Sequence, residues 1–445
     1  MRNAEAGETA AALIGPCDSD DDESAPLIDH TSAPAPVIRA LPKDLPALHT
    51  IRLIGAIHIA IYHTAPGPPY GPGAAWGASW VPFYFLLSGF GPAHSRLLQE
   101  LHVEQPQKLP LQPSRLTLWR RLAAVYPTHV LGVLLSLGAA MASHKPPRFG
   151  ELSLELVLLH AWVPASWSLG YCVDEACTDY VSIAYNMPSW FVSVLMGCWL
   201  LEAPAFRLGA HLCRLRHTAV WSALLFVVWV LAWPWARCPL TWNQRWWNAV
   251  DVLTYIHLYA AGAVLAHVMH ARAARGAPAL SWAASVAAAG LAALFALDTR
   301  WLLGTRADPM FIDHWTHKVG LLLPLHALLV VGLAEGTDPL ARLCATRPLP
   351  ALRHLALGAY LLQAPTYELL TLASGWPTPF TSAPAHELAL LAALMLVAAA
   401  AHAGVQQPLG AAMLRCCADA DDAGGGKATG SGGEQASDSE AARRR

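Results

Sequence analysis

The chain is built from repeated apolar runs of about twenty residues, the length a helix needs to cross a ~30 Å hydrocarbon core. Ten such runs can be laid out, at 47–65, 76–95, 122–142, 187–206, 218–236, 250–270, 278–297, 318–335, 354–373 and 387–406. An eleventh stretch, Leu152 to Val163, is short and carries Glu155, and reads as a re-entrant or interfacial segment. Composition supports lipid as the solvent. Hydrophobic residues make up 55% and charged residues 13%, with a mean hydropathy of +0.36, whereas soluble domains carry about 25% charge. The expected fold is an all-α integral membrane protein, with about ten transmembrane helices in one bundle.

Charge placement orients the bundle. With the N-terminus in the cytosol, inner loops 96–121, 207–217, 271–277 and 336–353 hold 13 Lys/Arg. The outer loops hold seven: Lys145, Arg148, Arg237, Arg245, Arg300, Arg306 and Lys318. That bias agrees with the positive-inside rule and makes a multi-pass protein with both tails cytosolic. Residues 1–44 form an acidic tail, with five of 31 acidic residues in Asp18 to Glu23, and 408–445 form a second polar tail. Both are expected to be disordered, because neither can bury enough apolar surface. The membrane domain occupies 45–407. No basic region precedes a cleavable apolar segment, so the first span is expected to direct insertion. Trp76, Trp80, Trp167, Trp242, Trp246, Trp247 and Trp315 suggest an aromatic belt at headgroup level. A net charge of −2 and a pI near 6.8 offer no electrostatic footprint for nucleic acid.

Costly residues within spans are the candidates for chemistry. The first span contains His49, Arg52, His58 and His63. Arg52 and His63 are eleven positions apart, which puts them within about 20° of one helix face and roughly 16 Å apart along the axis. His49 lies about 40° from His63 on that face, and His58 points elsewhere. A guanidinium stays charged and forks onto phosphate or carboxylate. An imidazole can take up and return a proton near neutral pH. The bland alternatives are a snorkelling Arg52 and an interfacial His63 bonded across helices.

Four further stretches follow. They are Phe85 to Phe90, Arg120 to Pro127, Pro188 to Ser193 and Ala359 to Pro365. In this order they resemble the acyltransferase-3 family of integral-membrane O-acyltransferases. That family shows an Arg, ten residues and a His in its first span, then F-x-x-S-G-F, R-R-L…Y-P, P-x-W-x-x-S and a late small-aromatic-L-L-x-x-P stretch. The resemblance covers roughly 45–405. Three positions depart from it. Leu195 stands where many relatives have Glu, Ala124 where many have Arg, and Gln363 where many have a late His.

The resemblance implies transfer of an acyl group, most often acetyl, from cytosolic acyl-CoA to a hydroxyl of a carbohydrate, glycolipid or similar acceptor. His63 would be the base or acyl relay. Arg52 would bind phosphate or polarise the donor, and Arg120 and Arg121 would help hold the anionic CoA. Ser88, Trp190, Ser193, Tyr360 and Gln363 would line the site. Acyl-CoA is a substrate here, with no permanently bound cofactor and no metal. Two other readings fit the same residues: a transporter or permease using the intramembrane Arg and His, and an inactive relative of the acyltransferases. Arg120 and Arg121 also read as topology determinants, and Ser88 and Trp190 as helix-packing residues.

Minor signals remain. Cys172 and Cys177 flank an acidic turn and are placed to form a small disulfide in an oxidising compartment. Asp313, His314 and His317 read as solvated loop polarity rather than a metal site. Cys416 and Cys417 suit palmitoylation, and Glu23 with Leu27 and Ile28 resembles a dileucine sorting signal.

Overall fold

A computed structural model describes residues 41–64, 76–102, 115–144, 148–163, 185–215, 252–304, 322–375 and 384–425. Every regular element among the described residues is helical. Helix α1 is Pro46–Thr64, and a 3-10 turn at Trp76–Ser79 leads into α2, Trp80–His102. Then come α3, Arg115–Ala142, and the short α4, Phe149–Leu156. Helices α5, Trp190–Leu200, and α6, Glu202–Arg214, follow. Next are α7, Val252–Ala274, α8, Ala283–Gly304, and α9, Leu323–Glu335. The chain continues through α10, Pro339–Ala345, α11, Leu355–Ser374, α12, Pro384–Ala401, and α13, Gln407–Gly425.

Helices stand at nine of the ten predicted spans, and 218–236 lies outside the described residues. Two helical stretches, Thr117–Ala142 and Ala385–Cys417, are long and apolar enough to cross a membrane. The pair Met187–Leu200 and Glu202–Arg214, bent by 60°, makes a third if it is one span. Polar cost and length set the other helices apart. Helix α1 carries an arginine and three histidines, while α5 and α9 have only 11 and 13 residues. Cys172, Cys177, Asp313, His314, His317 and the Glu23 motif also lie outside the described residues.

Close backbone contact between α2 and α7 organises the core. Gly89 of α2 faces the Tyr259 carbonyl of α7, and Gly262 of α7 faces the Leu86 carbonyl of α2. Glycine at both positions lets the helices approach as small residues do in membrane bundles. Around this seam Phe83, Phe85, Phe90, Tyr255 and Tyr259 are fully buried. Helix α11 packs against α1, α3 and α12, and α8 pairs with α9.

A proline shapes the other half. Pro127 lies inside α3 and has no N–H, so the Ala123 carbonyl four residues earlier loses its helical partner. Gln406 supplies one, because its Nε2 donates to Ala123 O at 2.9 Å. Its Oε1 accepts from Thr128 Oγ1 at 2.7 Å and from Thr128 N at 3.2 Å. These bonds hold a π-turn at His402–Gln406, and the chain stays helical to Gly425. The expected disordered tail from 408 is corrected to that extent. Residues 408–417 continue an Ala- and Leu-rich helix that packs against α3.

The Leu152 to Val163 stretch is short and broken, as its length suggested. It holds α4, a left-handed Leu158 (φ 60) and a 3-10 turn at His160–Trp162. Trp76 departs from the expected belt. It is 6% exposed and packs edge-on to Phe295 at 5.7 Å, so it belongs to the core.

One loop group stitches the base of the bundle. Asp338 caps α10 by accepting from Leu340 N at 2.8 Å, and it also accepts from Ser285 Oγ at 2.7 Å. Burial pushes its carboxyl pKa up, but these donors, with the Ser285 and Ala284 N–H groups, outweigh it and hold the pKa below the usual aspartate value.

Two outcomes follow from this packing. Gln406→Leu takes the donor from Ala123 O and the acceptor from Thr128 Oγ1 and is expected to cost about 1–3 kcal/mol, read as a lowered melting temperature in detergent. Gly89→Val drives a side chain into the Tyr259 carbonyl and is expected to abolish monodisperse elution. Gly91→Ala, whose added methyl meets nothing within 4 Å, is expected to elute as wild type.

Candidate functional site

The half-turns of α1 that carry Arg52 and His63 are held by different neighbours. Gly55 sits between them, and a Cβ there would lie 2.9 Å from both Trp80 Cε3 and the Tyr84 hydroxyl oxygen. Its absence lets α2 lie against α1. The Tyr84 hydroxyl then donates to the Arg52 backbone carbonyl, and Trp80 Nε1 donates to His58 Nδ1 at 2.9 Å. His58 therefore faces α2, away from the Arg52–His63 face. His49 sits at the far end of the helix, within 3.2 Å of Asp44 and 3.3 Å of Arg353.

Tyr84 extends the contact to two more elements. Its ring lies 6.1 Å from Phe191 of α5 and 6.2 Å from Tyr360 of α11, and those two rings are 5.3 Å apart. Phe85, next along α2, packs on Phe191 at 4.8 Å and stacks on Tyr255 at 4.5 Å. Trp190 joins at 5.4 Å from Tyr255. Edge-on and tilted geometries of this kind are those that aromatic quadrupoles favour.

At the other end of the same face, His63 Nδ1 is 3.1 Å from Gln363 Oε1. Gln363 Nε2 donates to the Tyr360 carbonyl at 2.8 Å, which fixes the amide so that its oxygen faces His63. An amide oxygen only accepts, so the His63 proton sits on Nδ1 and the Nε2 lone pair is left bare. The basic nitrogen of the imidazole is then Nε2, on the side of the ring away from Gln363.

The other predicted residues divide. Tyr360 and Trp190 lie in the aromatic cluster with Tyr84. Ser88 is half-buried beside the Gly89 seam. Ser193 faces away from His63, since its hydroxyl donates to Leu158 O at 2.6 Å and its oxygen accepts from Ala161 N at 3.3 Å. Arg120 is exposed. Arg121 forms a two-point ion pair with Glu202, with 3.1 Å between Nη2 and Oε1, and its guanidinium lies 6.0 Å over Trp199. Tyr259 also donates to Glu202, at 3.3 Å. The role predicted for Arg121 in holding CoA thus meets a structural duty at the α5–α6 bend. Arg52 is half-buried, and the ion pairs among the described residues engage Arg96, Arg121, Arg148 and Arg353 instead.

Sequence reasoning missed two features. Glu202 gave no motif signal, being one acidic residue at a span end. The second is a buried group around Glu155, which the short apolar stretch marked only as unusual. Among the described residues no cluster of His, Cys, Asp and Glu is suited to a metal ion. Comparison with protein-family models, with curated proteins and with solved structures finds no match to this chain.

Proposed function

We propose that this chain is a membrane-embedded O-acyltransferase, a multi-pass bundle of about ten transmembrane helices with both tails cytosolic. It would move an acyl group, acetyl in the simplest case, from cytosolic acyl-CoA to a hydroxyl of a carbohydrate, glycolipid or similar acceptor. The observation that carries this reading is the meeting of four distant stretches around one helix face. Arg52 and His63 come from α1, Tyr84 and Phe85 from α2, Phe191 from α5, and Tyr360 and Gln363 from α11.

In this reading His63 Nε2 takes the proton from the acceptor hydroxyl as its oxygen attacks the thioester carbonyl. The CoA sulfur leaves and receives a proton, so the reaction is proton-neutral. Gln363 holds the imidazole in the required tautomer. Arg52, about three turns or 16 Å along the axis from His63, holds a phosphate of the donor rather than its thioester. That separation is on the scale of an extended pantetheine arm. Leu195, where relatives carry Glu, is buried at 8% exposure in the core, so the proton duties fall to His63.

The test uses purified protein in nanodiscs, labelled acetyl-CoA and a membrane glycolipid extract as acceptor. His63→Ala is expected to lower transfer by roughly 10²–10⁴-fold. Gln363→Leu is expected to lower kcat with little change in the KM for acetyl-CoA, and Arg52→Ala to raise that KM. Wild-type transfer in the His63 variant would refute the assignment. Solute uptake into proteoliposomes without an acylated product would instead assign a permease.

A further inference from the structure

A second polar centre is buried between α3, α4 and the start of α5. Glu155 is 1% exposed, and His129, His160, Asn186 and Ser189 are all 0% exposed. Glu155 Oε1 accepts from Ser189 Oγ at 2.8 Å and from Asn186 N at 2.9 Å. Ser189 Oγ in turn lies 3.1 Å from His160 Nε2. Because the serine proton is committed to Glu155, His160 Nε2–H is the donor in that contact. His129 Nε2 donates to the Glu155 backbone carbonyl at 2.9 Å, and its ring lies parallel to His160 at 6.5 Å.

The distribution of donors on the carboxyl is uneven. The Ser189 and Asn186 bonds both fall on Oε1, and the Tyr185 N–H also faces the carboxyl, while among the described residues Oε2 is buried without a hydrogen-bond partner. An ionised carboxylate needs donors on both oxygens when it is removed from water. A protonated carboxyl brings no net charge into the apolar interior, so an Oε2 without donors costs it far less than it costs a carboxylate. The nearby charges do not offset a negative Glu155. Arg148 pairs with Glu151 at 3.4 Å, and the facing groups on α3 are the neutral side chains of Tyr126 and His129. The Tyr185 hydroxyl oxygen accepts from the Arg148 backbone N–H at 2.5 Å. Nδ1 of His129 and of His160 and the Asn186 amide oxygen are likewise buried without a hydrogen-bond partner among the described residues.

We propose that Glu155 is a protonated carboxylic acid at neutral pH and that, with Ser189 and His160, it forms a buried proton-binding site. The chain His160 Nε2–H, Ser189 Oγ–H, Glu155 Oε1 is continuous. A proton taken up at His160 Nδ1 can pass along it as another leaves Glu155 Oε2, with no bond between heavy atoms changed. Leu158, left-handed and 2% exposed, is pinned by Ser193 and sets His160 back towards Ser189. Non-glycine residues in that conformation persist where the surroundings over-determine them. The site is separate from His63 and does not depend on the acyltransferase reading.

Infrared difference spectroscopy of the full-length protein in nanodiscs tests this without an activity assay. The carbonyl stretch of a protonated carboxylic acid is expected at neutral pH, with a shift in deuterated water. The band is expected to be lost in Glu155→Gln and retained in Glu151→Gln. Ser189→Ala removes one donor from the carbonyl oxygen and is expected to move the band to higher frequency, which assigns it even where Glu155→Gln does not fold. Absence of the band at neutral pH, or a band that neither Glu155→Gln nor Ser189→Ala alters, would overturn the proposal and leave Glu155 an ionised cap on the turn before α5.

Discussion

The hydrogen bond between His63 and Gln363 spans 300 residues of sequence, and the arrangement of the candidate site depends on it. It joins the first helix to the eleventh, about one turn along α11 from Tyr360, where α2 and α5 converge. Its geometry is set one bond further out, where the Tyr360 carbonyl accepts from Gln363 Nε2. Remove that second bond and the amide is free to present nitrogen instead of oxygen, which would force the opposite tautomer on the imidazole. The chemistry available to His63 is therefore decided by a backbone carbonyl on another helix. Outer contacts orient catalytic and metal-bound histidines by the same logic.

The rest of the bundle follows a related rule. In an apolar setting each polar group needs a partner inside the protein, and the partners here often come from distant helices. Thr50 donates to Cys344 O at 2.5 Å, Trp162 Nε1 to Ser193 O at 3.1 Å, and Gln406 takes the carbonyl that Pro127 leaves open. Such bonds fix helix positions more tightly than the non-directional packing of leucine and alanine. The 60° bend after Leu200 has a local cause as well. Pro204, in the first turn of α6, has no N–H to give the Leu200 carbonyl four residues earlier, and its ring crowds that oxygen. Glu202 is drawn into the pair with Arg121 and accepts from Tyr259 as well.

Helix positions were legible in the sequence because a twenty-residue apolar run is a local signal. The Arg52–His63 face was legible too, since it needs only the helical repeat. Helix ends were less so. The continuation of α13 to Gly425 rests on Gln406 meeting α3, a contact between residues 278 apart, which no window along the chain can show. The motif residues proved unequal for a similar reason. Ser193 and Gln363 each sit within a short motif, yet one turns towards Leu158 and the other towards His63. Spacing places a residue on a helix face, but the neighbouring helix decides what that face meets. Glu155 was the opposite case: visible as an oddity, but without meaning until Ser189 and Asn186 were brought to it.

Gln363 also bears on how this site differs from one with an acidic partner. A carboxylate beside an imidazole does two things: it selects the tautomer and stabilises the imidazolium that forms when the base takes a proton. An amide oxygen does the first but supplies only a dipole towards the second. With Leu195 buried in the core, the described residues place no carboxylate at His63 to compensate. A base so arranged works best when the proton is held only briefly. Acyl transfer from a thioester meets that condition, because the leaving sulfur can receive the proton that the acceptor hydroxyl gives up. A neutral orienting group is thus chemically coherent with a proton-neutral transfer, and it would be a poor choice for a site that had to store charge. The buried carboxyl at Glu155, surrounded by imidazoles and a hydroxyl, has the opposite character. On the two proposals made above, these centres would divide proton handling by chemistry as well as by position.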